Sequence, residues 1–424
     1  MRNPHAYRVY LAMSAAMTFA SAMMFTVLSV YYVTRAGMDA LQLVLVGTVL
    51  EATVFVFEVP TGVVADTVSR RLSVIIGTFV IGAAFVAEGL IPVFGAIVLT
   101  QATRGLGETF LSGATQAWLA DEIGEAHVGG ALLRGGQIDR AIGIAGIVAG
   151  AALGSLHLQL PVVLGGALYV LLGLYLILHM PETGFSPTSR QDRNTWQTMR
   201  RTLRDGAGVV RASRILMLLL GVEFFIGAAS EGFDRLSEAH FLNDIAFPAF
   251  GALPPVAWFG IIGVVSSLVT LLMAEIFRKR LEALSRQPAR TAGWLFVLNG
   301  LSIGCVMAFA LTGDFVLAVA VILARDVLLT FAFPLHNAWL IQNIDPRVRA
   351  TVLSMNGQMN AVGQVMGGPG IGLIGRAVSI RAAIAAAGLL LTPALALFAR
   401  ARRHAGDTGE AQATVELAER AEAA

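Results

Sequence analysis

The chain has 424 residues, of which 56% are hydrophobic and only 14% are charged, and its mean hydropathy is +0.71. A water-solvated globular protein needs a larger charged surface, so this composition excludes a soluble fold and indicates an integral membrane protein. The single cysteine, Cys305, excludes an intrachain disulfide framework and a cysteine-cluster metal site.

Apolar segments long enough to cross a bilayer core of about 30 Å follow one another along the chain. They predict twelve transmembrane helices, at residues 10–33, 41–64, 73–91, 93–119, 141–158, 161–180, 215–241, 255–276, 292–312, 315–341, 352–375 and 380–399. The first is expected to be an uncleaved helix, because its apolar run is longer than the hydrophobic region of a signal peptide. The fold class is therefore predicted to be all-α integral membrane.

Arginine and lysine fall almost entirely on one side of the predicted membrane. With the N-terminus inside, 24 of the 30 basic residues lie in the two tails and in the connections that face the same side. The positive-inside rule therefore predicts a multi-pass protein of the cell (inner) membrane with both termini in the cytoplasm.

The longest connection divides the predicted helices into six and six. We expect an N-terminal six-helix half at residues 1–180, a cytoplasmic linker at 181–214, a C-terminal six-helix half at 215–400 and a cytoplasmic tail at 401–424. Around Trp196 the linker combines apolar residues at helical spacing with several arginines. This pattern is typical of an amphipathic helix at the headgroup surface, and a solvated linker with some helix is the alternative.

The two halves share an internal repeat. An offset of 221 residues aligns Arg104 with Arg325 and residues 117–119 (Ala-Trp-Leu) with residues 338–340, and an offset of 209 aligns the basic second connection with the eighth. Apolar composition does not readily place a mid-helix arginine and a tryptophan in register by chance. The repeat predicts two pseudo-symmetric six-helix halves, a plan that transporters use to bind substrate at the membrane midplane.

Ionisable residues inside the predicted helices are the strongest functional signal. There are eleven of them, Glu51, Glu58, Glu88, Arg104, Glu108, Glu223, Glu231, Asp234, Arg235, Arg325 and Asp326. Lipid-facing placement would cost about 3 kcal/mol each, so they are expected to face one another or a wet cavity. Carboxylates exceed arginines by five in this set, so some carboxyls are expected to carry protons or hold a cation.

Three of these carboxyls lie near mid-helix without an obvious counter-ion on the same helix. We expect Glu51, Glu223 and Asp326 to bind the proton or the substrate, and the two mid-helix arginines to set their pKa values. Further candidates for proton or substrate binding are Arg104, Arg325, Glu58, Glu108, Glu231 and Asp234. The alternative, above all for Glu88 and the Glu231 and Arg235 pair, is that these side chains only make hydrogen bonds between helices.

The second cytoplasmic connection carries a known signature. Residues 62–71 read GVVADTVSRR and resemble the loop motif of the major facilitator superfamily, and with the helix count and mid-helix arginine the resemblance covers nearly the whole chain. The expected cytoplasmic gating motif is Gly62, Asp66, Arg70, Arg71 and Asp121. It suits a charge latch in which Asp121 or Glu122 is the counter-charge. Alternatively, the two arginines only set the topology.

Three other stretches, residues 57–62, 112–121 and 230–235, are similar to bacterial drug efflux members of the tetracycline and macrolide type. The sequence departs from those members in one respect, because its Gly-Gly-Pro-Gly run lies in the eleventh predicted helix, at residues 367–370, and not in the fifth. Proline lacks a backbone donor, so a hinge or a static kink is expected at that run.

These features predict a proton-coupled secondary transporter, a drug:proton antiporter that exports amphipathic compounds. A proton symporter that imports a small metabolite and a non-transporting receptor are the alternatives. An enzyme is not expected, since the seven histidines show no metal-ligand spacing, and phosphate-binding loops for ATP-driven transport are missing. The expected partners are a small-molecule substrate, protons and the lipid bilayer. A monomer without cofactor, metal or nucleic acid is predicted.

Overall fold

The structure is a computed structural model that is helical throughout. It describes residues 2–187, 213–248, 253–285, 288–342 and 349–401, with a few single residues between these ranges. Within them every regular element is a helix and no strand is present, so the all-α prediction is confirmed. The amphipathic helix predicted in the linker and the tail after residue 401 lie outside the described residues.

The helices fall into two sets of seven. The N-terminal set is α1 (Pro4–Thr34), α2 (Ala40–Thr67), α3 (Arg70–Leu90), α4 (Phe94–Leu111), α5 (Ala114–Ile123), α6 (Glu125–Leu156) and α7 (Gln159–His179). The C-terminal set is α8 (Arg214–Asp244), α9 (Pro255–Ser285), α10 (Pro288–Leu311), α11 (Phe315–Gln342), α12 (Arg349–Ala377), α13 (Ile380–Leu390) and α14 (392–401). The helices α4 and α5 together correspond to one predicted span, and α13 and α14 together correspond to another. The fourteen helices of the described ranges therefore contain all twelve predicted spans.

Ten segments of the described chain are long and apolar enough to cross a membrane. The spans outside this group are α4, which carries Arg104 and Glu108, and α12, which is rich in glycine, asparagine and glutamine. Each of these two polar helices lies between apolar spans in the chain.

Short polar side chains set the starts of the first three helices. Asn3 caps α1, Asp39 caps α2 and Ser69 caps α3, each by accepting a hydrogen bond from a backbone amide of the first turn. These caps precede the apolar runs, so α1 begins at Pro4 although its apolar run begins at residue 10.

The fourth predicted span is broken. The helix α4 ends at Leu111 and α5 begins at Ala114, and Gly113 between them has a φ of +69°. Glycine adopts this left-handed conformation at little cost, which explains the break. At the repeat-related position α11 contains Pro334, which removes one hydrogen bond from the helix. Both halves therefore interrupt the helical ladder at the same place in equivalent helices.

The helix α6 begins much earlier than the sequence predicts. The predicted span starts at residue 141, whereas the helix starts at Glu125, directly after Gly124 with a φ of +88°. The prediction followed apolar residues, and the first turns of α6 are polar. A helix rises about 1.5 Å per residue, so this one is longer than the bilayer core and extends beyond it. As a result, Asp139 lies within a helix.

The Gly-Gly-Pro-Gly run at residues 367–370 forms part of a continuous helix. Pro369 lies inside α12, which is helical from Arg349 to Ala377. The run is therefore helical, and the hinge or kink expected there stays a prediction. The missing proline N–H leaves one carbonyl without its helical donor, and the neighbouring glycines have no side chains that crowd the ring.

Each half has its own apolar core, built from repeat-related residues. Trp118 and Leu119 are fully buried in the N-terminal core, and Trp339 and Leu340 are fully buried in the C-terminal core. Further pairs related by the offset of 221 are Ala114 and Leu335, Ile123 and Ile344, and Ala131 and Val352. The pseudo-symmetric halves predicted from the repeat are therefore confirmed.

The helices α1 and α6 touch backbone to backbone. Gly146 lies against Phe19, and a Cβ atom at Gly146 would lie 2.6 Å from the Phe19 carbonyl oxygen. One turn later Gly150 lies against the backbone of Met23 in the same way. The glycine spacing that predicts close helix packing in this span is confirmed.

The same two contacts recur in the C-terminal half, between α8 and α12. Gly367 lies against Ala228, and a Cβ atom there would lie 2.6 Å from the Ala228 carbonyl oxygen. At the second contact the glycine has changed helix, since Gly232 of α8 lies against Ile371 of α12. The repeat thus preserves the contact positions and not the residue types.

The described chain divides into two compact units. One unit contains residues 1–198, 234–267 and 372–380, and the other contains the remaining residues. Within the first unit, Gly260 of α9 lies against Ala151 of α6, and Nε of Arg376 lies 3.6 Å from Oδ2 of Asp39. The border of the units near residue 198 falls in the predicted linker, and the division into sequence halves stays a prediction.

A buried carboxylate ties the segment after α7 to the end of α5. Glu122 accepts hydrogen bonds from the Asn3 amide at 2.7 Å, the Thr183 hydroxyl at 2.8 Å and the Gly184 backbone amide at 2.9 Å, and also from the Thr183 amide. Burial alone would raise the pKa of this carboxyl, but the hydrogen bonds outweigh burial and hold the pKa below its usual 4.5.

Replacing Glu122 with glutamine should reduce the dependence of stability on acid. Because the folded-state pKa is lowered, the carboxylate stabilises the fold above the usual 4.5 and loses this contribution as the pH falls through the folded-state pKa. Thermal unfolding of the detergent-solubilised protein at a series of pH values measures this. Below the usual pKa the wild-type Tm should fall more steeply than that of Glu122→Gln, while exposed Glu125→Gln should follow the wild type. Equal slopes for all three would contradict the prediction.

Candidate functional site

A polar cluster in the C-terminal half joins three helices. Oε1 of Glu223 on α8 lies 3.0 Å from Nε2 of His336 on α11, and Oε2 accepts a hydrogen bond from Nδ2 of Asn360 on α12 at 3.0 Å. Gln364, one turn further along α12, donates to Oδ1 of Asn360 at 2.8 Å. Three helices therefore meet at one carboxylate.

The Glu223 carboxylate and the His336 ring are largely buried, at 13% and 7% exposure. The ring packs edge-on against Phe398 at 6.1 Å, and Asn356 supplies a further hydrogen bond to Glu223. The Nδ1 atom of His336 has no hydrogen-bond partner among the described residues. The Nε2 contact is an ion pair by distance and is not an aligned hydrogen bond. The ring therefore has one nitrogen 3.0 Å from the carboxylate and a second nitrogen without a hydrogen-bond partner among the described residues.

A second cluster occupies the repeat-related positions of the N-terminal half. The Ser14 hydroxyl on α1 donates a hydrogen bond of 2.7 Å to Oδ2 of Asp139 on α6. Ser14 corresponds to Glu223 at the offset of 209, and Asp139 corresponds to Asn360 at the offset of 221. Each half thus joins its equivalent helices through one acid, which lies on α6 in one half and on α8 in the other.

Beside this second cluster is a cavity of about 510 Å³. Thr115, the repeat-related counterpart of His336, forms part of its wall together with Ser14. The remaining lining residues are Tyr10, Met13, Met17, Thr18, Glu108, Leu111, Ser112, Gly113, Gln116 and Leu132. Of the residues that line the cavity, Glu108 is the one charged side chain.

Arg104 is buried between aromatic rings. Its guanidinium lies 5.6 Å from the ring centre of Phe25 and 5.2 Å from that of Phe85, and the residue is 3% exposed. Nε lies 3.2 Å from Oε1 of Glu108, an ion pair by distance whose N–H is not aligned for a hydrogen bond. The two residues are one turn apart on α4, so their opposite charges lie side by side on one helix.

Arg325 repeats this arrangement in the other half. Its guanidinium lies 3.9 Å from the ring centre of Phe233, and Nη1 lies 3.9 Å from Oδ1 of Asp326. The hypothesis that the two mid-helix arginines set the pKa of Glu223 needs correction, because the basic group beside that carboxylate is His336. The two residues lie on helices that are distant in sequence, so helical spacing does not reveal their contact.

Four other predicted carboxyls are distributed over α2 and α8. Glu51 is half-buried, and Glu58 lies with Oε1 3.4 Å from the hydroxyl of Ser112. Glu231 is buried and Asp234 is exposed. Their roles in proton or substrate binding stay predictions.

Glu88 makes hydrogen bonds between helices, as the structural alternative predicts. It is fully buried and accepts hydrogen bonds from the Tyr32 hydroxyl, from Thr100 at 2.9 Å and from Gln101 at 3.0 Å. These contacts join α1, α3 and α4. A carboxyl held on both oxygens in this way serves helix packing.

The predicted gating motif forms an ion-pair network around Arg70. Nη1 of Arg70 lies 2.5 Å from Oδ2 of Asp121, and Nη2 lies 3.3 Å from Oδ1 of Asp66. Arg71 instead donates to the carbonyl oxygen of Ile177 at 2.6 Å. Of the two predicted counter-charges, Asp121 is therefore the one that pairs with Arg70.

The rest of the motif is tied to the segment after α7. Glu182 accepts hydrogen bonds from the Ser69 hydroxyl at 2.7 Å and from the Arg71 amide at 2.9 Å. At Gly62 a Cβ atom would meet nothing within 4 Å, so close packing does not require this glycine. A gating role for the motif stays a prediction.

Of the residues in the two clusters, the sequence predicts Glu223 alone. Asp139 precedes the apolar run that marks the predicted span, so apolar length does not place it in a helix. His336 lies within a predicted span, but its carboxylate partner is on another helix. Asn360 aligns with Asp139 at the offset of 221, and this match of polar residues is a signal that a search for identical residues passes over.

The family model described as Major Facilitator Superfamily matches residues 10–368. The chain belongs to the major facilitator superfamily. It is therefore a multi-pass membrane transporter of that superfamily. A relative from Bacillus subtilis (strain 168), the "Uncharacterized MFS-type transporter YxaM", is 24% identical over 362 residues, which cover 84% of this chain and 86% of the relative.

Solved structures share the major facilitator fold. A bacterial homologue of the human lysosomal transporter Spinster, in an inward-facing and unoccupied conformation, has a TM-score of 0.75 at 16% identity over 94% of this chain and 97% of its own. The nucleoside transporter NupG has a TM-score of 0.74 at 13% identity, over 93% and 98%. A POT family transporter in complex with 5-aminolevulinic acid has 0.71 at 12% identity, over 93% and 95%. At these identities the likeness shows the fold alone.

Proposed function

We propose that this major facilitator is a proton-coupled transporter of the cell (inner) membrane that exports amphipathic cationic or zwitterionic compounds by alternating access. Both termini are placed in the cytoplasm, and the working unit is a monomer. The observation that supports coupling is the contact of 3.0 Å between Glu223 and His336, two buried titratable groups on different helices. Histidine is the side chain whose ordinary pKa lies closest to physiological pH, so such a pair suits proton exchange.

The charge of the pair explains how a proton gates movement. With a charged carboxylate, a protonated His336 makes the pair with Glu223 neutral, and loss of that proton leaves one net negative charge. An unbalanced charge is costly in a site closed off from water, so the closed site favours the neutral pair. Opening to water removes this cost and releases the proton. The pair thereby links protonation to the conformation of the transporter.

The sign of the buried charge supports antiport. A cation and a proton each reduce the net negative charge of the buried groups, so a carrier that moves with one added positive charge at a time exchanges one for the other, even where the two bind at separate sites. The similarity of residues 57–62, 112–121 and 230–235 to drug efflux members supports the same direction. The alternative, import with a proton, requires that substrate and proton move together.

Purified protein reconstituted in vesicles that contain DNA provides the test. Ethidium is the probe, because its fluorescence rises when it enters and binds the DNA. With the membrane potential clamped by potassium and valinomycin, an inside-acid gradient should drive ethidium inward, opposite to the proton. Ethidium movement in the same direction as the proton would establish symport. No change with the gradient, relative to protein-free vesicles, would contradict proton coupling.

A further inference from the structure

We propose that the cavity beside Ser14 and Thr115 binds the cationic group of the substrate, at a site separate from the proton-binding pair. This inference rests on the proposed function and names the part of it that binds substrate. The ligand class is a monovalent organic cation with an apolar body. The proposal is carried by the space, the charge and the walls of this cavity.

The space results from divergence of the repeat. In the C-terminal half, Glu223 and His336 fill the positions where α8 and α11 meet α12. The corresponding residues of the N-terminal half are Ser14 and Thr115, whose side chains are much smaller. Both line the cavity of about 510 Å³, which falls within the range of about 300 to 1,000 Å³ that small-molecule sites occupy.

The titratable side chains next to the cavity are mainly acidic, and Glu58 lies 3.4 Å from the Ser112 hydroxyl of its lining. Glu108 lines the cavity, but Arg104 lies 3.2 Å from it and balances its charge. Asp139 lies one hydrogen bond behind the wall, 2.7 Å from Ser14. Its other oxygen, Oδ1, is buried and has no hydrogen-bond partner among the described residues. Buried unpaired carboxylate is costly, so a cation in the cavity would remove this cost.

The walls suit an amphipathic molecule. The lining includes the polar groups of Ser14, Thr18 and Gln116. It also includes apolar side chains, among them Met13 and Met17. Methionine is unbranched and polarisable, so it adapts to apolar bodies of different shape. The arrangement selects for positive charge and tolerates variety in the rest of the molecule.

The two halves have therefore specialised at the same position. Where the C-terminal half holds a titratable pair, the N-terminal half holds a cavity with a negative charge behind it. Proton and substrate then bind at repeat-related but distinct places.

Equilibrium dialysis of tetraphenylphosphonium against the purified full-length protein tests this site, with empty detergent micelles as background. Asp139→Asn, Glu108→Gln and Thr115→His should each weaken binding about tenfold, the effect expected from loss of one charge-assisted contact or of the cavity space. Exposed Glu275→Gln should bind as the wild type does. Tetraphenylborate, with similar shape and opposite charge, should bind at least about tenfold more weakly.

Several results would overturn the inference. These are the failure of folded wild type to bind tetraphenylphosphonium, equal affinity for tetraphenylborate, or unchanged affinity in the cavity variants. If the buried-site variants do not fold, Gln116→Trp replaces them, since it fills the cavity from an exposed position and should abolish binding. Binding that follows these expectations in a protein without pH-driven flux would uphold the site and reject the proposed function. Proton-driven flux with unaltered binding in the variants would uphold the proposed function and reject the site.

Discussion

Replacing Glu223 with glutamine should abolish pH-driven transport while the protein stays folded. Glutamine retains an oxygen for Asn360, which donates to Glu223 at 3.0 Å, but it cannot balance a protonated His336. The initial rate of gradient-driven ethidium movement should fall by about tenfold or more, since a change of about 1.4 kcal/mol in proton binding already gives that factor. Downhill exchange of ethidium without a pH gradient should persist.

A second variant distinguishes a role in proton exchange from a purely structural role of the pair. His336→Gln should flatten the pH profile of transport, because it removes the ring nitrogen that lies 3.0 Å from the Glu223 carboxylate and through which the pair is proposed to exchange its proton. The matched control is Glu275→Gln, which removes an exposed carboxylate from α9 and should leave the profile unchanged. If His336→Gln keeps the wild-type profile, the proton is carried elsewhere, and Glu51 and Asp326 become the carboxyls to test.

Replacing Gly150 with valine should destabilise the protein strongly. A Cβ atom at this position would enter the backbone of Met23 on α1, and a valine adds two further methyl groups. Overpacking of this kind costs about 1 to 3 kcal/mol, and backbone cannot move aside as a flexible side chain does. Thermal unfolding followed by intrinsic fluorescence in detergent should show a clearly lower Tm and a smaller yield of monodisperse protein.

Gly136 supplies the matched control on the same helix. A Cβ atom there would meet nothing within 4 Å, so Gly136→Ala should leave the Tm unchanged or raise it. Alanine in a helix interior is favoured over glycine by about 0.5 to 1 kcal/mol when nothing obstructs it. A drop in Tm for Gly136→Ala as large as that for Gly150→Val would show that the contact with α1 does not determine the effect.

The sequence predicts the helices of this protein well because each membrane-spanning helix needs an apolar segment as long as the bilayer core is thick. Apolar length, arginine placement and the repeat are properties of the chain itself, so the twelve spans and the pair of halves follow from them. Local contacts also follow, such as Arg104 with Glu108 one turn away. The borders of α6 do not, because its first turns are polar and resemble a loop.

The site was harder to predict because its contacts join distant parts of the chain. Glu223 was identified from the cost of a charge in the membrane, but its partner His336 is far away along the sequence. Spacing along one helix shows which residues share a face of that helix, but it does not show which other helix packs against that face. The same limit applies to Glu122, expected as a counter-charge of the arginine motif and found to hold the segment after α7.

The backbone contact between α1 and α6 has a mechanical consequence. Two helices that touch at Gly146 and Gly150 cannot slide by less than a full turn without collision, so they behave as one stiff rod. The distance between labels placed on these two helices should stay constant while the carrier works. This constant distance provides an internal reference for label-to-label distances measured by spectroscopy elsewhere in the molecule.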